Sequence, residues 1–192
     1  MTASSSTHNI SDPSVWVTRF TPVIGPGEVL DLACGSGRHA KWLAGRGCPV
    51  LAVDRDEQSL ALAAGPGITT MQLDLESGED SAWPFEARRF AAIVVTNYLH
   101  RPLFPHLLDS LAEGGVLIYE TFAAGNGQFG KPSNPHFLLQ PGELLQLCAG
   151  LRVVAFEDGY VNLPKPALIQ RICAAKSGIA VDPDSPDRWR LD

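Results

Sequence analysis

Residues 29–37, VLDLACGSG, carry the strongest structural signal in this chain. The first four residues form a short and mostly apolar run, which is typical of a buried parallel strand. Gly35 and Gly37 follow, and a backbone without Cβ atoms turns sharply and comes close to a bound molecule. The amide groups that open the next helix favour a bound carboxylate. The stretch therefore predicts a strand, a ligand-binding turn and a helix in succession.

Apolar strands alternate with helical segments on the carboxyl side of this stretch. This alternation predicts a single α/β domain with a mostly parallel sheet, right-handed crossovers and helices on both faces. Only residues 157–167 join the last two strands, too few for a helical crossover, so we expect an antiparallel hairpin there. The predicted strands are 29–32, 49–53, 68–73, 90–96, 116–120, 152–156 and 168–174. The predicted helices are 14–20 (opened by Asp12 and Pro13), 39–44, 58–64, 102–111 and 142–149.

The boundaries of this domain follow from composition. Residues 1–11 are rich in Ser and Thr and are expected to form a flexible leader, residues 12–176 the domain, and residues 177–192 a surface tail. Residues 123–140 are rich in Gly, Pro and Asn and predict a long loop without regular structure. Because long loops inside compact domains are more often functional than idle, we interpret this loop as a lid.

Bulk properties restrict the function. With 192 residues and 45% hydrophobic residues the chain is long enough for one well-packed domain. The net charge of −6 argues against a nucleic-acid groove, which needs clustered Lys and Arg. The four cysteines are scattered, so we expect free thiols and no metal site. No apolar run approaches the roughly 18 residues that span a bilayer, and no secretory signal is evident, which predicts a soluble, cytoplasmic protein without a membrane partner.

Two acidic residues end the second and third predicted strands. Asp54 is placed to accept hydrogen bonds from a ribose diol, and Asp74 from the exocyclic amine of adenine. Hydrogen bonds to charged acceptors contribute about 1.5–3 kcal/mol each, so both acids together with the glycine turn would support micromolar binding. The combination predicts an adenosine-containing cofactor.

A nicotinamide cofactor is the nearest alternative, because Gly35-x-Gly37-x-x-Ala40 with Asp54 also fits the dinucleotide fingerprint. Three features count against it. Asp31 lies inside the end of the first strand, Asp74 ends the third strand, and the last two strands form a hairpin.

The segment DLACGSG (31–37) resembles the first motif of class I S-adenosylmethionine-dependent methyltransferases. Asp54 and Asp74 stand at the second and third motif positions, and LAEGGVL (111–117) resembles the fifth strand region. The resemblance covers about residues 29–176 and implies a Rossmann-like fold and S-adenosylmethionine as cofactor. A closer likeness to tellurite-resistance-type methyltransferases rests on GVLIYETFA (115–123), GKP (130–132) and ALIQ (167–170).

The same resemblance implies the cofactor contacts. Asp31, Gly35 and Gly37 would surround the methionine part, while Leu75 would flank the adenine. The backbone of Asn97 would face the methionine amine. The complete set of implied cofactor positions is Asp31, Ala33, Gly35, Gly37, Asp54, Asp74, Leu75 and Asn97.

Candidates for the methyl acceptor site lie on the loops after the fourth and fifth strands and on the first helix. His100 is a candidate base, and Glu120 would orient a polar substrate or a base. For both, a structural role as a helix cap or a solvated strand end is the open alternative. The candidate substrate contacts are Trp16, Arg19, Tyr98, Asn134 and His136, of which Trp16 and Tyr98 equally suit simple packing.

These features predict a methyltransferase that acts on a small molecule, including soft acceptors of the thiol or chalcogen kind. Enzymes that methylate amino groups of nucleic-acid bases usually carry an Asn/Asp-Pro-Pro-aromatic motif, and Asn97-Tyr98-Leu99 departs from it. Two alternatives stay open: a methyltransferase of a protein or RNA, and a module that binds the cofactor without chemistry.

Overall fold

The computed structural model describes residues 12–76 and 83–176 and forms one seven-stranded sheet. The predicted leader (1–11) and tail (177–192) lie outside the described residues. The strands are β1 (Val29–Leu32), β2 (Val50–Asp54), β3 (Ile68–Gln72), β4 (Phe90–Thr96), β5 (Leu111–Phe122), β6 (Arg152–Val161) and β7 (Ala167–Ala175). Their order is β3-β2-β1-β4-β5-β7-β6, and β7 runs antiparallel to both neighbours. The α/β fold and the antiparallel hairpin are thus confirmed.

Helices cover both faces of the sheet, as predicted. The helices are α1 (Val15–Phe20), α2 (Arg38–Ala44), α3 (Glu57–Ala63), α4 (Phe104–Ser110) and α5 (Glu143–Leu147). Buried side chains of α1, α2 and α3 join one core cluster with the residues of the central strands that face them. Those of α4 and α5 join a second cluster on the opposite face. Among the described residues, no helix has the length and apolar content needed to cross a membrane.

The strand order places a topological switch point between β1 and β4. After β1 the chain adds β2 and β3 on one side, and it then returns to pair β4 with the other side of β1. Ligands of such sheets bind beyond the carboxyl ends of the strands at this point. The glycine turn after β1 and the residues after β4 therefore lie side by side.

The beginning of α1 differs from the prediction. The helix is capped by Ser14, whose Oγ accepts a hydrogen bond from the backbone N–H of Trp16 at 3.1 Å. Asp12 is therefore not its N-cap. Ser14 occupies the N-cap position because its short hydroxyl side chain reaches the free amides of the first turn.

The predicted helix 102–111 is divided in the structure. A 3-10 helix spans Arg101–Leu103, α4 ends at Ser110, and Leu111 already pairs with Phe90 in the sheet. Residues 112–115 then loop out before the regular pairing of β5 begins. Gly115 permits this irregularity, since a Cβ there would lie 2.8 Å from the carbonyl oxygen of Ala112.

Two further predictions are corrected. Residues 123–140 are not without regular structure, because 3-10 helices form at Asn126–Gln128 and Pro135–Phe137. Strand β6 continues to Val161, well past the predicted end at residue 156, since it pairs with β7 along its whole length. Polar residues within β6 hid this extension, but an outer strand tolerates side chains that face solvent.

Candidate active site

Two cavities adjoin at the carboxyl edge of the sheet. The smaller has a volume of about 390 Å³ and the larger about 810 Å³. They share four wall residues: Asn97, Phe122, Pro132 and Phe137. A ligand that spans the shared wall would therefore expose one end to the larger cavity.

The smaller cavity collects most of the predicted cofactor residues. Ala33, Asp54, Asp74, Leu75 and Asn97 all line it. Ala33 and Asn97 have φ angles of 52° and 57°, a conformation that residues with a side chain rarely adopt. Such strain persists where the surrounding structure imposes it, and it clusters at ligand sites.

Asp54 at the end of β2 is held in a fixed orientation. One carboxylate oxygen accepts a hydrogen bond from the backbone N–H of Gly35 at 2.7 Å, and the other accepts from that of Asp56 at 3.0 Å. Each oxygen of a carboxylate accepts more than one hydrogen bond. The side chain therefore links the glycine turn to the cavity and keeps capacity for a ligand hydroxyl.

The two glycines of the turn have different surroundings. A Cβ atom added to Gly35 would meet nothing within 4 Å, so open space lies beside its backbone. A Cβ atom added to Gly37 would lie 2.6 Å from the Cβ of Ala63 on α3. Gly35 thus leaves room for a ligand, whereas Gly37 lets α2 and α3 pack closely. Neither glycine is among the residues that line the two cavities.

Asp31 lies behind the turn and lines neither cavity. It is buried, and its carboxylate accepts a hydrogen bond from the backbone N–H of Ala40 at 2.8 Å. Burial raises the pKa of Asp31 to about 7, although the hydrogen bond from Ala40 and the nearby Arg38 oppose the rise. The direct role of Asp31 is to hold the beginning of α2 against β1.

His39 is a buried residue that the sequence analysis missed. Its Nε2 accepts a hydrogen bond from the backbone N–H of Ser14 at 3.1 Å, so the proton of the neutral ring is on Nδ1, which lies 3.4 Å from Thr96 Oγ1. Burial, aided by the charge of Arg38, lowers the pKa of His39 to about 3. A neutral imidazole therefore anchors the start of α1 to α2 and β4.

Charged side chains line the larger cavity. Glu120 at the end of the parallel part of β5 accepts a hydrogen bond from Ser14 Oγ at 2.8 Å and one from Arg171 at 3.2 Å. Arg38 is half-buried, and its burial lowers its pKa. The charged residues in the wall are Asp12, Arg38, Glu120, Lys131, Lys165 and Arg171. Cationic groups outnumber carboxylates there, in contrast to the negative charge of the whole chain.

Comparisons with known proteins agree with this architecture. Residues 29–115 match the model of a family described as a methyltransferase domain. Over this segment the chain is similar to a methyltransferase domain. The matched segment contains the glycine turn and Asp54, and the two adjoining cavities lie at the switch point of the sheet. No curated protein matches the sequence.

Solved structures share the fold of this chain at low sequence identity. An S-adenosylmethionine-dependent methyltransferase from Methanosarcina mazei has a TM-score of 0.66 at 15% identity, covering 88% of this chain and 100% of that one. TehB from Haemophilus influenzae, of the tellurite-resistance type, has a TM-score of 0.69 at 19% identity, covering 84% and 61%. Geranyl diphosphate C-methyltransferase from Streptomyces coelicolor has a TM-score of 0.62 at 16% identity, covering 83% and 76%.

Several residues that were predicted for the acceptor site lie outside both cavities. Trp16 is 1% exposed, and its Nε1–H donates to the carbonyl of Ile172, so it is a core residue. Arg19 lies on the outer side of α1 and pairs with Glu157 at 3.5 Å. His136 is exposed and lines neither cavity. The structure places Trp16 in the core and Arg19 and His136 outside both cavities.

His100 also lies outside both cavities. It directly precedes the 3-10 helix Arg101–Leu103 and lines neither cavity, because the chain turns away after the buried Leu99. Tyr98 does line the smaller cavity, where burial raises its pKa, and its carbonyl accepts a hydrogen bond from Tyr119 at 2.7 Å. Asn134 lines the larger cavity, while its side chain accepts from the backbone N–H of His136.

Wall residues that the sequence analysis missed come from distant segments. Ser14, Arg38, Lys165 and Arg171 all line the larger cavity. Arg38 directly follows the glycine turn, which was an available signal. Arg171 stands opposite Glu120 in the antiparallel register of β5 and β7, a relation that becomes visible only once the register is known.

The described residues contain no cluster of three or more His, Cys, Asp or Glu side chains that could hold a metal ion. Cys34, inside the glycine turn, has its pKa raised to about 12, chiefly by burial. Its thiol is therefore protonated at neutral pH and is a poor nucleophile. Neither observation adds a second chemistry to the site.

Proposed function

We propose that this protein transfers the methyl group of S-adenosylmethionine to a small-molecule acceptor in the larger cavity. The observation that carries the proposal is the junction of the two cavities at Asn97 and Phe122, next to the glycine turn. The volume of about 810 Å³ lies within the range of small-molecule sites, about 300–1,000 Å³. Cofactor and acceptor would meet at the shared wall.

The smaller cavity would hold the nucleoside. Asp54 would accept hydrogen bonds from the ribose hydroxyls, and Asp74 with Leu75 would border the adenine. The open space beside Gly35 and the strained backbone of Ala33 would receive the methionine part. The backbone of Asn97, which lines both cavities, would face the methionine amine.

The larger cavity favours an acceptor that brings its own reactive lone pair. S-adenosylmethionine, when bound, supplies an electrophilic methyl group. Among the described residues, the wall contains no His, Cys or Tyr, and Glu120 is engaged by Ser14 and Arg171. A hydroxyl or amine acceptor usually needs a base, whereas a thiol is partly ionised near neutral pH. This supports a soft, thiol- or chalcogen-like acceptor, with Glu120 as a positioning residue.

A direct test is turnover with small thiols. The full chain is incubated with S-adenosylmethionine and either thiophenol or 2-mercaptoethanol, and S-adenosylhomocysteine is quantified by mass spectrometry. We expect thiol-dependent product. In Asp54→Ala the KM for S-adenosylmethionine should rise about tenfold or more, in line with the loss of one or two charged hydrogen bonds.

Asp109→Ala is the matched control, because this exposed residue of α4 lines neither cavity and should leave the KM unchanged. Micromolar cofactor binding without product from any acceptor would instead indicate a binding module. Turnover on a protein or RNA fraction with none on small molecules would contradict the proposed acceptor class.

A further inference from the structure

We infer that the acceptor is an amphiphile, with an apolar body and an anionic group that Lys131 and Lys165 recognise. This inference rests on the proposed function and names the substrate class of the larger cavity. Four cationic and two acidic side chains line that cavity, although the chain as a whole carries a net charge of −6. The local excess of positive charge therefore needs an explanation.

The two arginines in the wall already have protein partners. Arg171 contacts Glu120 at 3.2 Å and Glu157 at 2.8 Å. Arg38 donates to the backbone carbonyl of Asp12 at 3.2 Å. These contacts leave the two lysines as the cations that a ligand would meet.

Lys131 and Lys165 belong to separate segments that border the same cavity. Lys131 lies in the loop after β5, and Lys165 lies in the turn between β6 and β7. Within the described part of the chain, neither ammonium group takes part in an ion pair. The Lys165 Nζ lies 5.8 Å from the centre of the Phe122 ring, a residue of the wall that both cavities share. An anion near this wall would therefore face positive charge.

The rest of the wall is largely apolar. Phe137 and Leu163 are large apolar side chains that are 48% and 64% exposed. Both line the cavity, so the body of an acceptor would cover them. The apolar wall residues are Phe122, Phe137, Val161, Leu163, Ala167 and Ile169. An apolar body with an anionic group satisfies both parts of the wall.

The inference is tested with four ligands that share an eight-carbon alkyl skeleton and differ in their polar group. Octanoate, octyl phosphate, 1-octanol and octylamine are titrated by calorimetry into the full chain saturated with S-adenosylhomocysteine. We expect at least one anion to bind tenfold or more tightly than 1-octanol, and octylamine to bind most weakly. The comparison of octanoate with octyl phosphate distinguishes a carboxylate from a phosphate.

The double variant Lys131→Gln/Lys165→Gln should lower anion affinity at least fivefold and leave the affinities for 1-octanol and S-adenosylhomocysteine unchanged. Lys41→Gln, at an exposed position of α2 outside both cavities, is the control and should change none of them. The inference would be overturned if all four ligands bound equally or if octylamine bound most tightly. It would also be overturned if none of the four bound while S-adenosylhomocysteine still did. The proposed function would stand in each of these cases. If the native chain does not bind S-adenosylhomocysteine at all, the proposed function itself is overturned.

Discussion

Individual side chains near the glycine turn divide into those that face open space and those that hold the fold. Gly35 has room beside it, while Gly37 touches α3 at Ala63. Asp31 and His39 are both buried under the turn and connect α2 to its neighbours. The motif therefore combines a ligand surface with its structural support, and the two parts respond differently to mutation.

Alanine substitutions should separate the roles of the two glycines. Gly35→Ala adds only the strain of a positive φ, about 1–2 kcal/mol, but fills the space beside the cofactor. Gly37→Ala adds that strain and overpacking against Ala63, about 1–3 kcal/mol more. Urea unfolding should show the larger loss of stability for Gly37→Ala. Calorimetry should show the larger loss of S-adenosylmethionine affinity for Gly35→Ala, and the reverse pattern would refute these assignments.

Asp31 and His39 give opposite pH dependences to stability. The pKa of His39 falls from 6.5 to about 3 on folding, so this residue removes stability as the pH falls below 6.5. The pKa of Asp31 rises from 3.8 to about 7, so this residue removes stability as the pH rises from about 4 to 7. Between pH 4.5 and 6 each slope is about 1.4 kcal/mol per pH unit, and the two oppose each other.

Two variants should expose these slopes separately. Relative to the native chain, His39→Gln should lose stability progressively as the pH rises from 4.5 to 6, because the Asp31 slope is no longer opposed. Asp31→Asn should lose stability as the pH falls over the same range. The free energy of unfolding in urea, measured at several pH values, gives the slope for each variant. Parallel curves for the native chain and both variants would contradict the pKa shifts assigned to Asp31 and His39.

The sequence identified these positions unevenly. The glycine turn with Asp54 and Asp74 was recognisable because each follows the end of a predicted strand. His39 was missed, since a histidine one residue into a helix gives no sign that it will be buried. Trp16 and Arg19 were assigned to the acceptor, but the face of α1 that meets the sheet depends on packing that no local pattern specifies.

The segment between β5 and α5 borders both cavities and is held by side-chain hydrogen bonds at both ends. Arg101 donates to Glu143 on α5 at 2.6 Å and to the backbone carbonyls of His136 and Leu138. The side chain of Asn126 connects the other end of the segment to Leu168 and Pro132. Lys131 lies between these two anchors and directly precedes Pro132.

Releasing the Arg101 anchor should loosen this wall. In Arg101→Gln we expect the backbone amides of residues 137–139 to exchange with deuterium at least tenfold faster, because the two side-chain hydrogen bonds to the carbonyls of His136 and Leu138 are weakened. Hydrogen exchange with mass spectrometry measures this. Arg46→Gln, which removes only a surface stacking on Trp42, is the control and should leave these amides unchanged. Equal protection in both variants would show that the backbone alone holds the segment.

Element types were more predictable than element ends. Apolar runs located every strand, but β5 begins at Leu111 and not at residue 116. Leu111 already pairs with Phe90, and the regular ladder resumes at Val116 after the irregularity. The end of β6 depends on its pairing with β7, a partner that local sequence does not specify. Local patterns carry no information about such partners.

The architecture of the entire protein follows from the strand order. Alternating strands and helices predicted the sheet and its switch point, where five of the proposed cofactor residues line one cavity. The larger cavity was not predictable in the same way, because α1, the loop after β5 and the β6–β7 turn come together only in the folded chain. Its charge and apolar surface were therefore visible only in three dimensions.

The central claim is that the glycine turn and Asp54 bind S-adenosylmethionine. The most direct test is calorimetric titration of the purified chain with S-adenosylmethionine, S-adenosylhomocysteine and NADH. We predict micromolar binding of the first two ligands and none of NADH. Binding of NADH alone would contradict the methyltransferase interpretation and would make Asp54 the ribose ligand of a dinucleotide.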